Sequence, residues 1–289
     1  MEAMSSSSSE ITHVSDTALM VAACRALESE SPDGFVHDPF AARLAGQRGL
    51  AILQGLPYPE MMRFGIGVRS RFMDELLLEV LASKPITVVL SLGCGLDTRP
   101  WRLDLPPDLR WIEVDFADML DYKDRLIAAA PRCRRERLTA DVTDREQRRA
   151  IYTAVGTAPA LMIAEGLLMY LPGATVEALA TEVHQETSVA HWLSDITTTA
   201  FTNAITRGTT TDPMATVRKV QAPDCLAGEH ILECIRSHGW VTEARRSYIT
   251  DMAFALPRIK RTLGDRPQPA GPSPYAPDDP TGVHRFARG

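Results

Sequence analysis

Apolar and polar positions fall into alternating blocks along this chain. Thr87-Val88-Val89-Leu90-Ser91-Leu92 is a short β-branched and apolar run, of the kind buried on both faces of a sheet. It turns sharply through Gly93 and Gly95, where a missing Cβ frees the backbone and lets a ligand come close. Residues 110–115 form a second run that ends on Asp115. A third, near 137–140, leads to Asp141; a fourth, 160–164, delivers Glu165-Gly166; a fifth spans 190–196. Helical periodicity fills the gaps at 116–129, at 145–155 with Asp144 as cap, at 175–188, and at 229–238 before Gly239. This alternation predicts a doubly wound, mostly parallel α/β sheet. A strand over 240–246 and an antiparallel partner within 247–256 bring the sheet to seven strands.

The first third reads as helices. Residues 17–28, capped by Ser15 or Asp16, are apolar almost all the way round, and Arg25 is the exception. A short helix at 39–54, a Pro/Gly break at 55–59 and a long helix at 60–82 follow. Arg69 and Arg71 lie in the middle of the long helix. Residues two apart point to different faces, so one can aim inward while the other is solvated. Residues 197–228 show little periodicity and are rich in Thr, Pro and Asp. Residues 1–12 are a serine-rich, low-complexity tail, and 265–289 a Pro/Gly-rich tail.

Composition narrows the classes. A length of 289 residues with 45% hydrophobic and 24% charged residues is ordinary for a soluble globular protein. Lys+Arg of 31 against Asp+Glu of 37 gives −6, which is not a surface built to hold nucleic acid. No apolar run reaches membrane-span length, and the serine tract lacks the pattern of a secretory signal. Five scattered cysteines without Cys-x-x-Cys suit reduced thiols in a cytoplasm and argue against a zinc or other metal site. Cys94 reads as a small side chain in a tight turn rather than a nucleophile.

The glycine turn carries the candidate chemistry. Asp115, twenty residues past Gly95, can accept hydrogen bonds from both hydroxyls of a ribose. A dinucleotide fold would need a third glycine at position 98, which is Thr98, so no pyrophosphate-cradling turn remains. A ligand with an adenosine but no phosphates fits better, and S-adenosyl-L-methionine is such a ligand. Leu92-Gly93-Cys94-Gly95-Leu96-Asp97-Thr98-Arg99, Glu113-Val114-Asp115-Phe116 and Glu165-Gly166-Leu167-Leu168-Met169-Tyr170-Leu171 together resemble the leucine carboxyl methyltransferase family, which includes bacterial polyketide carboxyl O-methyltransferases. The resemblance runs from about residue 17 to about 248.

That resemblance implies a class I, Rossmann-like methyltransferase domain over 13–264, with a helical cap at 13–84 and a substrate lid at 197–228. It implies that Arg25 and Arg69 face the methionine carboxylate of the cofactor. It also implies that Asp141 meets the adenine amino group while the backbone amide of Val142 reaches a ring nitrogen. Asp97 either faces the cofactor's amino group or is a plain helix cap. Glu165, at the end of a central strand, lies in the ligand crevice and holds the cationic end of the cofactor. A carboxylate is too weak a base to deprotonate an alcohol efficiently. Tyr170 either lines the substrate pocket or is a core aromatic. His184 and His191 read as structural, and Lys123-Asp124-Arg125 as a solvated face. Arg207, Arg218 and Lys219 either attract an anionic substrate or are solvated charges.

The expected function is methylation of a carboxylate on a small natural-product or polyketide-type acid, by a monomer or homodimer. A carboxylate is already ionised at neutral pH and needs no general base. The alternatives are O-methylation of a phenol or hydroxyl in secondary metabolism, a NAD-binding oxidoreductase, and a non-catalytic cofactor-binding module.

Overall fold

A computed structural model describes residues 10–207, 211–212, 214–263, 276 and 278–289. The expected N-terminal tail thus lies outside the described residues except for 10–12, and so does 265–275 of the expected C-terminal tail. Three helices come first: α1 (Val14–Glu30), α2 (Ala41–Gln54) and α3 (Pro59–Ser83). Next come β1 (Val88–Leu92), α4 (Arg99–Arg102), β2 (Arg110–Asp115), α5 (Ala117–Leu126), β3 (Arg134–Thr139), α6 (Arg145–Val155) and β4 (Ala160–Ala164). A 3-10 turn (Leu168–Tyr170) leads to α7 (Gly173–Glu186) and β5 (Val189–Ile196). The last part holds α8 (Thr199–Ile205), α9 (Ala215–Arg218), α10 (Gly228–Ser237), β6 (Trp240–Ser247), α11 (Leu256–Leu263) and β7 (Gly282–Arg288). No helix among the described residues is long and apolar enough to cross a membrane.

The strands form one seven-stranded sheet in the order β3-β2-β1-β4-β5-β7-β6, parallel except for β7. Side chains on a strand alternate between faces, and the core follows that period. Val88, Leu90 and Leu92 pack with Ile151, Val176, Leu179, Val183 and Ile235 on one side. Val89, Trp111, Leu161 and Leu193 pack with Phe72, Leu76 and Val80 of α3 on the other. A third cluster joins α1 and α2 to Leu96, Trp101 and Met119. The sheet is therefore covered on both faces, as its apolar central strands require.

Two strand assignments differ from the sequence reading. β3 starts at Arg134 rather than 137, because its polar, charged residues sit at a sheet edge: Arg135 reaches Glu113 and Arg137 reaches Asp121 and Asp124. Charge at an edge strand blocks further pairing and hides the strand from an apolar pattern. The antiparallel strand is Gly282–Arg288, not a segment within 247–256. Ser247 ends β6 in a turn where its Oγ accepts from the Ile249 and Thr250 amides, and Leu256–Leu263 is helical. β7 runs between β5 and β6, with Phe286 buried opposite Trp192 and edge-on to it at 6.2 Å. Its entry is pinned by Asp279, which accepts from Thr198 Oγ1 (2.9 Å) and the Thr281 amide (2.8 Å). The helix α1 is likewise capped earlier than expected, by His13 rather than Ser15 or Asp16, with Asp16 closing the reciprocal bond.

Because β7 is the sole bridge between β5 and β6 in the sheet order, removing residues 278–289 should abolish cooperative unfolding in urea monitored by circular dichroism. A truncated chain that unfolds with the full-length midpoint would mean that the C-terminal strand is dispensable.

Candidate active site

Crossovers leave β1 and β4 in opposite directions, so the carboxyl ends of these neighbours form the topological switch point where α/β sheets bind ligands. A cavity of about 1480 Å³ opens there. Its floor carries Gly93, Gly95, Asp115, Asp141, Val142 and Glu165, and α1 and α3 close over it.

Gly93 and Gly95 take φ of 55° and 46°, left-handed backbone that favours glycine. Space is tight as well: a Cβ on Gly95 would meet Ala18 of α1 at 3.3 Å, and one on Gly93 would meet the tip of Leu167 at 2.7 Å and force it to shift. The Cys94 amide donates to Val114 O at 3.1 Å, stitching the turn to β2. Asp115 accepts from the Gly95 amide (2.7 Å) and the Phe116 amide (2.8 Å) through different oxygens. Burial raises its pKa against those two bonds. Under the turn, Lys123 is fully buried, 2.8 Å from Glu113, and also reaches Cys94 Sγ and Asp97 O, each at 3.4 Å. Lys123 is thus no solvated face: a buried ammonium needs a partner, and Glu113 supplies it. Burial pushes the Cys94 thiol well above its usual range, which leaves it no nucleophile at neutral pH.

A network of ionic side chains runs along the floor. Glu165 accepts from Arg69 Nε (3.0 Å) and pairs with Arg99 Nη1 (2.7 Å). Arg69 Nη1 also meets Asp195 (3.3 Å), whose other oxygen accepts from the Gly166 amide at 2.6 Å. Arg99 continues to Asp74 (2.6 Å) and Asp97 (3.0 Å), and Arg102 closes on Asp74 at 2.9 Å. Three guanidiniums and four carboxylates are thus linked in one set, of which Asp74 does not line the cavity. Burial alone would raise the pKa of Glu165, but Arg99, then Arg69 and Arg25, outweigh it and hold the carboxyl at about 2.

The remaining expected residues are placed as follows. Arg25 lines the cavity but is engaged by Asp38 (2.9 Å) and Leu96 O (2.7 Å). Thr98 is buried and donates to the same Asp38 at 2.7 Å. Asp97 accepts from the Arg99 amide at 2.9 Å, although the residue at the cap of α4 is Thr98. Asp141 accepts from the amide and hydroxyl of Thr143, both at 2.8 Å. Arg148 donates to Val142 O and Thr143 O and so braces this loop. Tyr170 lines the cavity, with its hydroxyl bonded to Thr17. Arg71 is turned outward to Glu75, on the other side of α3 from Arg69.

Phe201, Met214 and Val217, from the expected lid region, border the cavity; residues 208–210 and 213 of that region lie outside the described residues. Arg207 and Arg218 border it too, Arg218 paired with Asp212. Neither His184, edge-on to Trp240, nor His191, beside Glu243, lines the cavity. Among the described residues, no histidine or lysine does. The sequence reading missed Asp74, Arg99, Arg102, Asp195 and Tyr248. Asp195 carried a usable signal, since it too stands near the carboxyl end of a central strand. Arg99 had Asp97 two residues away, a local signal that did not reveal its link to Glu165, and Asp74 and Arg102 carried none, because they pair across 28 residues.

A glycine turn after β1, an acid at the end of β2 and this strand order define the class I methyltransferase fold. A Streptomyces avermitilis protein of the "duf574 family" has this fold, with a TM-score of 0.57 at 17% identity over 94% of this chain and 96% of its own. The sequence profile described as "Leucine carboxyl methyltransferase" matches residues 18–184. A Streptomyces coelicolor relative is 32% identical over 86% of this chain and 89% of its own length. A Streptomyces avermitilis relative is 39% identical over 60% of this chain, and the match spans 65% of that relative. Both relatives bear the name "Putative S-adenosyl-L-methionine-dependent methyltransferase". The chain belongs to the leucine carboxyl methyltransferase family.

The Glu165 clamp makes a prediction about acid stability. A carboxyl whose folded pKa lies near 2, below its ordinary 4.5, stabilises the fold in full above about pH 4.5 and loses that contribution as the pH falls toward 2. Glu165→Gln should lower the urea midpoint at pH 7 and flatten its decline between pH 4.5 and 2. An unchanged acid limb would show that Glu165 is not clamped.

Proposed function

We propose that the protein is an S-adenosylmethionine-dependent O-methyltransferase that methylates a carboxylate on a small natural-product-type acid. The observation that carries this reading is the chemistry of the cavity wall: carboxylates at the strand ends, Asp115, Asp141 and Glu165, beside guanidiniums of α1, α3 and α4, and no histidine or lysine among the described lining residues. S-adenosylmethionine has one net positive charge, carried as a sulfonium, an ammonium and a carboxylate. The residues present fit it. Each Asp115 oxygen keeps a lone pair for a ribose hydroxyl after accepting its amide bond. Asp141 and Val142 stand at the adenine position, Glu165 and Asp97 at the cationic end, and Arg69 with Arg25 near the methionine carboxylate. A dinucleotide would instead need a third glycine where the chain has Thr98, which is buried and bonded to Asp38.

When bound, the cofactor supplies a methyl group whose C–S bond breaks, leaving the electron pair on sulfur, as the acceptor oxygen forms the new O–C bond. The chain's own task is to hold the acceptor in line and to keep water out. Glu165, ionised far below neutral pH, keeps Arg69 and Arg99 in place and takes up no proton. An alcohol acceptor would need a base, whereas a carboxylate acceptor needs none.

Two experiments test this. Calorimetric titration with S-adenosylhomocysteine should give micromolar binding and NADH none, and Asp115→Ala should weaken the former by about 1–3 kcal/mol. Incubation with S-adenosylmethionine and a panel of aryl and alkyl acids and phenols should give an alkali-labile methyl ester. An alkali-stable ether as the sole product would overturn the carboxylate reading, and NADH binding without S-adenosylhomocysteine binding would overturn the methyltransferase reading.

A further inference from the structure

The cavity is larger than one ligand requires. A pocket for a single drug-sized ligand runs to about 300–1,000 Å³, so a space of about 1480 Å³ has room for the cofactor and a second, sizeable molecule. The helices that border it away from the strand tips contribute apolar side chains. These are Met61 of α3, Ile205 of α8, Val217 of α9, and Leu256 and Ile259 of α11.

One position on this wall has no explanation within the fold. Gly65 lies inside α3, where glycine is a poor helix former because it gives up the most backbone freedom and packs nothing. A left-handed φ or a close neighbour would justify it, and Gly65 has neither. Its backbone is helical, and nothing among the described residues lies within 4 Å of a Cβ built on it. Gly67 is the contrast: its Cβ would meet the side chain of the buried Glu28 at 3.0 Å, so Glu28 accounts for it. Gly65 is exposed and borders the cavity, as do Met61 and Arg69, one turn before and after it. The space that a side chain would fill is cavity space.

We propose that Gly65 is a specificity-determining residue: the acceptor is an acid with a bulky apolar body, of several fused rings or comparable size, and that body packs against α3 where the side chain is missing. The proposal rests on the carboxyl-methylation reading above and narrows its substrate class. Along α3 the wall runs from the apolar Met61 through Gly65 to Arg69, which is bound to Glu165 on the floor. An acceptor with its carboxylate toward the floor and its body among α8, α9 and α11 spans that interval. A larger residue at position 65 would discriminate by size, because an overpacked wall yields only at a cost. Even one methylene in an apolar pocket alters substrate preference by about 10–200-fold.

The test compares full-length wild type with Gly65→Ala and Gly65→Leu. Each is saturated with S-adenosylhomocysteine and titrated with benzoate, naphthoate and anthracene carboxylate in a calorimeter. Wild type should bind anthracene carboxylate about tenfold or more tightly than benzoate. Gly65→Leu should lose that preference and Gly65→Ala part of it, while benzoate affinity stays within about threefold. S-adenosylhomocysteine affinity should be unchanged, and the thermal midpoint should rise by about 2 °C, since Ala and Leu are better helix formers than Gly. Equal affinity of wild type for the three acids, or a Gly65→Leu chain that keeps the preference, overturns the proposal. Weakened S-adenosylhomocysteine binding overturns it too, by assigning the gap to the cofactor, and a lowered midpoint does so by showing that the fold needs the glycine. Methylation of naphthol and anthrol but of no acid would instead sink the carboxylate reading. The size preference is then read in those phenols, and its absence there overturns the proposal by itself.

Discussion

The clamp on Glu165 is the interaction on which the site depends. It joins α3, through Arg69, to α4, through Arg99, across the carboxyl end of β4, and Asp195 extends it to β5. Taking charges out of water costs several kcal/mol per ion, and mutual attraction offsets this only when geometry and hydrogen bonding are nearly complete. Here the carboxylates are met by guanidiniums and, at Asp195 and Asp97, by backbone amides as well. The clamp also explains why Glu165 is no acid or base. A carboxyl held at about 2 is a fixed charge over the whole neutral range.

A second carboxylate does the same for the roof. Glu28 is fully buried and accepts from Arg63 of α3 (2.8 Å), from Arg258 of α11 (2.6 Å) and from the Phe35 amide (2.9 Å). Arg258 also lies over the rings of Phe35 and Phe64, at 4.6 and 5.0 Å. The first helix, the long helix and the helix after β6 are thereby tied at one point above the crevice. Ala18 on the first helix closes against Gly95 below. Roof and floor are each organised by one carboxylate, and the ligand space is what lies between.

This division suits the proposed transfer to a carboxylate, which needs no proton movement. The floor provides fixed charge and the walls provide shape. In-line displacement asks for alignment and exclusion of water more than for acid–base machinery.

Local pattern alone was enough for the central strands and for the residues at their tips. β2, β4 and α6 begin and end where the apolar runs and the Asp144 cap place them, because each is decided by neighbours in sequence. Gly93, Gly95, Asp115 and Glu165 follow from the same logic, since a residue at the carboxyl end of an inner strand points into the crevice, and Asp141, after the edge strand β3, lines the same cavity. What the sequence could not decide is partnership across distance. Lys123 looked like a solvated charge until the fold set Glu113 beside it. Residues 282–288 looked like part of a tail because the strands that bury Phe286 are remote in the chain. Arg69 and Arg71 were separable as two faces, but only the packing of α3 against the sheet determined which face was inside. Side-chain periodicity reports burial along one element, whereas a charge network or an inserted strand exists only once several elements have met.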